Sequence, residues 1–154
     1  MVGVTVGLEE PSAVLELRRE LLRPGRPVEE SVYPTDADPL TGHAVARNDA
    51  GDVVGIATIA LDPGPPVILT STDPSRHWRL RGMATSDAVR GTGVGRRVLD
   101  LAVDHARSNG AELLWCNARL PAVGFYERAG WRTVGEQFEL PNIGPHYVML
   151  CEAF

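Results

Sequence analysis

The strongest constraint on the fold lies between Trp78 and Cys116. An apolar run, Trp78 to Thr85, precedes three alternating glycines, Gly91, Gly93 and Gly95, in the stretch Val89-Arg90-Gly91-Thr92-Gly93-Val94-Gly95-Arg96. A long amphipathic run, Val94 to Ser108, follows. Its apolar residues Val94, Val98, Leu101, Ala102 and Ala106 recur at the spacing of one helical face. Asn109-Gly110 ends that helix, with Gly110 suited to a left-handed cap. Ala111 to Cys116, around Leu113-Leu114-Trp115, reads as a short buried strand. A strand–helix–strand unit of this kind sets its two strands parallel through a right-handed crossover. The class is therefore α/β. The glycine turn between strand and helix is suited to an anion, because glycine lets the backbone come close and a helix start offers unpaired N–H groups.

The remaining chain supplies further strands and two helices. Val2, Val4 and Val6 alternate as a strand does. Glu9-Glu10-Pro11-Ser12 opens a helix whose apolar side is Val14, Leu15, Leu17, Leu21 and Leu22, with Glu16, Arg18, Arg19 and Glu20 facing water. Pro24-Gly25 ends it, and residues 24–41 form a long connection rich in proline and acidic residues. His43 to Arg47 and Val53 to Leu61 read as a hairpin around Asn48–Asp52. Val67 to Thr70 is a short extended piece. Gly82 inside the Trp78–Thr85 strand marks a bulge or a close backbone approach. Pro121 starts a second helix with Ala122, Phe125, Tyr126 and Ala129 on one face, ended by Gly130. Trp131 to Gly135 and Tyr147 to Cys151 are the last strands, joined by a loop over 136–146.

Composition narrows the function. A chain of 154 residues forms one domain, 1–154. The formal net charge of −5 argues against nucleic acid as the main partner. All 15 basic residues are arginine, which fits genomic base composition. Cys116 and Cys151 have neither disulfide-framework nor metal-ligand spacing, so no metal is expected. The longest apolar run, Val53 to Leu61, falls short of the roughly 20 residues that span a bilayer. The N-terminus does not read as a signal peptide. The expected setting is cytoplasmic, without a membrane partner.

Two phosphate-binding motifs fail on register. The dinucleotide fingerprint needs glycine where Arg96 stands, and the P-loop needs glycine and lysine where Arg96 and Arg97 stand. What remains closely resembles the GNAT family of N-acetyltransferases, whose signature is Q/R-x-x-G-x-G/A between its fourth strand and third helix. Arg90, Gly93 and Gly95 fill that pattern. Leu80-Arg81-Gly82-Met83-Ala84-Thr85 resembles the family's fourth strand. Asn117 followed by Phe125-Tyr126-Glu127-Arg128-Ala129-Gly130-Trp131 resembles its second half, with Trp131 replacing the commoner phenylalanine. Leu22-Arg23-Pro24-Gly25 and Gly144-Pro145-His146-Tyr147-Val148-Met149 further resemble a bacterial subgroup that includes ElaA-like proteins.

The resemblance implies a mixed sheet with a splayed central parallel pair and helices on both faces. It implies acetyl-CoA as donor and an amine, on a small molecule or on a protein or peptide, as acceptor; relatives often form homodimers. The pyrophosphate would sit on the backbone of Gly91, Thr92, Gly93, Val94, Gly95 and Arg96, with Arg90 and Arg96 adding charge-assisted hydrogen bonds. Met83-Ala84-Thr85 would hydrogen-bond the pantetheine arm, and an N–H near Met83 or Ala84 would polarise the thioester carbonyl. Asn117 and Phe125 join the cofactor set, although a strand-end cap also explains Asn117. Tyr126 matches the position whose phenol protonates the departing thiolate in many relatives. Its place on the apolar face also fits plain core packing.

The base is not identified, because residues 78–85 hold no carboxylate where many relatives carry a glutamate. His146, Glu136, Glu139, Glu29 and Glu30 are the candidates. His146 is favoured by an intrinsic pKa of about 6.5, although a lone loop histidine is also often structural. The acidic loops suit a cationic amine, or are simply solvated. The alternative reading is a CoA-binding sensor domain without catalysis.

Overall fold

The computed structural model describes residues 3–152 and 154; Val2, placed above in the first strand, lies outside the described residues. Seven strands form one sheet: β1 (Val4–Leu8), β2 (Gly42–Asn48), β3 (Val53–Leu61), β4 (His77–Thr85), β5 (Leu113–Arg119), β6 (Arg132–Leu140) and β7 (Gly144–Cys151). Their spatial order is β1-β2-β3-β4-β5-β7-β6. Every neighbouring pair is antiparallel except β4 and β5, the pair joined by the crossover. This is the mixed sheet with a central parallel pair that the resemblance implies.

Among the described residues, three α-helices cover the sheet: α1 (Ser12–Leu22), α2 (Val94–Ser108) and α3 (Val123–Arg128). On one face, Val94, Val98, Leu99, Ala102 and Ala106 of α2 pack with Trp78 and Leu80 of β4 and Ala57 and Ile59 of β3. Tyr126 and Trp131 extend that core under α3. On the opposite face, Val14 and Leu17 of α1 pack on Val45 and Ile56. Strand periodicity of two sends neighbouring residues of β3 to opposite helices, which is why β3 is apolar almost throughout.

Several local expectations are corrected. Arg18 does not face water: it is 0% exposed and continues the stripe set by Val14, Leu17 and Leu21. Its guanidinium donates to both carboxylate oxygens of Asp36, to Ser31 O and to Thr58 Oγ1. The buried charge is tolerated because both terminal nitrogens are hydrogen-bonded, by partners from the 24–41 connection and β3. Residues 67–70 form no strand; Ile68 turns back through a hydrogen bond to Pro65 O, and its side chain is buried. The second helix begins as a short 3₁₀ turn, Leu120–Ala122, before α3. The loop expected over 136–146 is largely strand, because β6 and β7 pair out to Leu140 and Gly144.

Candidate active site

The site follows from where β4 and β5 stop pairing. They are joined at His77–Leu113, Trp78–Leu114 and Arg79–Trp115, and nowhere beyond. From Leu80 and Cys116 onward the strands part. Against β3, β4 gains one residue between Arg81 and Ala84, opposite Thr58 and Ile56. Gly82 sits in that bulge at φ +63°. A side chain there would have its Cβ 3.1 Å from Arg18 Nε and 3.3 Å from the Tyr33 ring, so glycine suits both the conformation and the space. The bulge read from Gly82 is present, and it lies at the opening of the cleft.

Two connected hollows occupy the gap. The deeper one lies between the parted strands and is lined by Gly82 and Met83, by Asn117, and by Tyr126 and His146. The shallower one runs along the end of β4 to the glycine turn, past Met83, Ala84, Thr85, Arg90, Gly95 and Phe125. Leu22, Met83 and Arg119 border both. The structure thus gathers most of the sequence-derived site residues along one channel.

The glycine turn is built to leave donors open. Gly91 and Gly93 take positive φ, +74° and +87°, and Gly93 caps α2 with no side-chain hydrogen bond over the helix end. Arg97 N–H is the first of α2 to donate within the helix, to Gly93 O. The amides of Val94, Gly95 and Arg96 occupy the preceding positions, which have no intrahelical acceptor. The Thr92 amide is different: it donates to Val89 O inside the turn. Arg90 borders the channel and pairs with Asp87 at 3.1 Å. The Arg96 side chain turns away, with Nε donating to Asp100 at 2.9 Å, and borders a hollow on the far side of α2. The structure therefore brings the amide of Arg96, and not its guanidinium, to the turn.

Tyr126 reaches the cleft from α3. It is 5% exposed, edge-on to Phe125 and tilted against Trp131. Burial raises its phenol well above the usual tyrosine value, with Cys116 adding to the shift, so the hydroxyl keeps its proton. Asn117 lies inside β5, opposite Val148 of β7, and not at a strand end as expected, because β5 runs on to Arg119.

His146 enters from the opposite face of the sheet, opposite Arg119 in the β5–β7 register. It is 3% exposed, and its Nδ1–H donates to Gly144 O at 2.8 Å. A carbonyl can only accept, so Nδ1 carries the proton in the neutral ring and Nε2 carries the free lone pair. The other candidate bases are elsewhere. Glu29, Glu30, Glu136 and Glu139 are exposed, none borders the cleft, and Glu30 is engaged by Arg26.

Sequence reasoning missed four cleft residues, Arg23, Arg79, Arg81 and Arg119. The signal was present in β4 and β5: Arg79 and Arg81, then Asn117 and Arg119, are polar residues at period two inside mostly apolar strands. Among the described residues, no cluster of three or more His, Cys, Asp or Glu side chains is placed to hold a metal ion. No helix there is long and apolar enough to cross a membrane.

Comparison with known proteins agrees with this geometry. The family model described as "Acetyltransferase (GNAT) family" matches residues 12–131. A Bacillus subtilis protein described as the uncharacterized N-acetyltransferase YitI is 32% identical over 145 residues, covering 94% of this chain and 91% of that protein. Among solved structures, a GCN5-related N-acetyltransferase from Kribbella flavida superposes with a TM-score of 0.72 at 22% identity, covering 97% and 98% of the two chains. Escherichia coli ElaA superposes with a TM-score of 0.65 at 20% identity, covering 99% and 100%. At those identities the two structures speak for the fold alone.

Proposed function

The chain belongs to the acetyltransferase (GNAT) family, and on that premise we infer how its cleft performs acyl transfer from an acyl-CoA thioester to an amine. Acetyl-CoA is the donor we propose; it supplies an activated acyl thioester. The open amides of Val94, Gly95 and Arg96 at the start of α2 hold its pyrophosphate, as the helix dipole favours. Arg90 adds charge at the same end. The edge of β4 from Met83 to Thr85, unpaired toward β5, offers backbone groups to the pantetheine arm.

The observation that carries this reading is the split between β4 and β5, with Tyr126 and His146 reaching it from opposite faces of the sheet. His146 takes the amine proton at Nε2 as the nitrogen attacks the thioester carbonyl. A β4 N–H near Met83 or Ala84 donates to the oxygen as it gains charge. The N–C bond forms, the C–S bond breaks, and Tyr126 gives its proton to the departing sulfur. Burial keeps the phenol protonated, which that last step requires. Holding both substrates in one channel makes the attack effectively unimolecular.

Calorimetric titration with acetyl-CoA and a thiol-release screen over an amine library test the reading together. Wild type binds acetyl-CoA and releases thiol with at least one amine. Gly93→Asp, which places a carboxylate among the open amides, lowers acetyl-CoA affinity at least 100-fold while the far-ultraviolet circular dichroism stays unchanged. Absence of acetyl-CoA binding by the wild type overturns the cofactor assignment. Binding without thiol release from any amine overturns the assignment of catalysis.

A further inference from the structure

The deeper hollow is lined by Arg23, Arg79, Arg81 and Arg119 and by no carboxylate, in a protein whose net charge is −5. Arg23, Arg81 and Arg119 form no ion pair among the described residues. Arg79 reaches Asp62 only at 3.6 Å, and its Nε is buried without a hydrogen-bond partner. The acidic residues of the 24–41 connection do not offset this charge. Asp36 is held by Arg18, and Glu29 and Glu30 are exposed away from the cleft. The expectation that acidic loops favour a cationic amine is therefore set aside.

Geometry separates Arg79 and Arg81 from the pyrophosphate end. Arg79 and Arg81 precede the Gly82 bulge, whereas Thr85 and Arg90 follow it toward the glycine turn. Arg81 pairs in register with Thr58, and Thr58 is bonded by Arg18, so Arg81 lies on the α1 face of the sheet. His146 is on that face too, through its register with Arg119. The guanidinium of Arg81 lies 3.9 Å from the Tyr33 ring centroid, and that of Arg18 lies 3.8 Å from the same ring. Tyr33 is thus clamped between two guanidinium groups, and it holds the plane of Arg81 toward the cleft. Arg79 lies 4.7 Å from the Trp115 ring centroid. Both side chains of β4 are thus ordered on aromatic supports while part of their donor capacity is unspent. Burial and the neighbouring Arg79 lower the Arg81 pKa, which is the direction expected where like charges await a counter-ion.

We propose that the acceptor is an amine that also carries a carboxylate, such as an α-amino acid, with Arg79 and Arg81 holding the carboxylate while the amine faces His146. The proposal rests on the reading of the cleft as an acyltransferase site. Planar guanidinium groups match a carboxylate bidentately, and an acceptor without one leaves their charge uncompensated. Arg79 and Arg81 are specificity residues here.

Matched triplets test it: each α-amino acid, its α-amide and its decarboxylated amine, measured by thiol release with acetyl-CoA and by calorimetry with CoA already bound. The carboxylate member of at least one triplet has kcat/KM and affinity about 10- to 100-fold above both partners. Arg81→Gln removes that preference by raising the acceptor KM, leaves the acetyl-CoA KM within twofold, and shows unchanged circular dichroism; Arg81→Lys restores only part of it. Equal or better use of the decarboxylated amines overturns the proposal. So does an anion preference that follows the acyl group, with succinyl-CoA favoured over acetyl-CoA for the same neutral amine. The calorimetric arm keeps the two readings apart. Failure to bind CoA overturns the acyltransferase cleft, whereas CoA binding with no carboxylate dependence of the second ligand overturns this proposal alone.

Discussion

Tyr126 shows how far a single side chain is governed by its neighbours. Phe125 and Trp131 enclose its ring, and Cys116 lies close enough to push its phenol further from ionisation. Such a group keeps its proton at neutral pH. Tyr126→Phe keeps the ring and removes the proton, so kcat falls about 100-fold or more while the acetyl-CoA KM stays put, as steady-state kinetics will show. An unchanged kcat would remove Tyr126 from the chemistry. His146→Gln lowers kcat/KM to a similar degree in the same steady-state assay. The Phe125–Trp131 segment made Tyr126 legible in the sequence, through its resemblance to the family motif. Arg18 was not legible: a charged residue beside Arg19 and Glu20 reads as solvated, and its partner Asp36 lies 18 positions on in an irregular connection. Pairing across that connection cannot be inferred from helical periodicity. Arg81 was hidden for a similar reason, because its aromatic support, Tyr33, comes from the same connection.

At the scale of elements, the local pattern identified α2, β3 and β4 well, since each has a strong period and clear stops. It failed at β6. That strand is mostly exposed, sits at the sheet edge and shifts register between Val134 and Phe138, so it carries no apolar alternation. Pro145 and Gly144 also read as loop, yet they begin β7, where a strand start tolerates proline. The β4 bulge was legible as a lone glycine in an apolar run, whereas the parting of β4 from β5 came only through the family resemblance, because it depends on what each strand meets on its other side. Gly82→Ala tests how firmly the bulge is set. A left-handed conformation costs an L-residue roughly 1–2 kcal/mol, and the added methyl also presses on Arg18 and Tyr33. The variant is expected to melt about 2–8 °C lower and to raise KM for both substrates. A melting midpoint equal to that of the wild type would show that the bulge relaxes freely.

Across the whole molecule, two buried acids on the α2 side of the sheet set a limit at high pH. Burial raises the Cys116 thiol far above its ordinary value, and Tyr126 is raised as well. A raised folded-state pKa contributes stability that is complete below the unfolded value and is lost above it, because the unfolded chain ionises first. Loss therefore begins near pH 8.5 for the thiol, reaches about 2 kcal/mol by pH 10, and is joined there by the phenol. Melting curves from pH 7 to 11 will show the midpoint falling over that range. Cys116→Ala will shift the whole curve through its cavity, but its distinguishing effect is a flatter slope between pH 8.5 and 10. An equally steep slope would assign the alkaline loss to other groups.

The parted strands carry one more consequence. A sheet normally protects its backbone by pairing every interior strand on both sides, yet here β4 and β5 each present an unsatisfied edge inside the molecule. An occupant that offers amides of its own, as the proposed pantetheine arm would, can complete the sheet in the way an added strand does. Recognition by main chain depends little on which side chains flank it. Substitutions around the mouth can then retune which amine is admitted while the carrier is still grasped. A single scaffold of this design is thus free to diverge in its acceptors without relearning its donor.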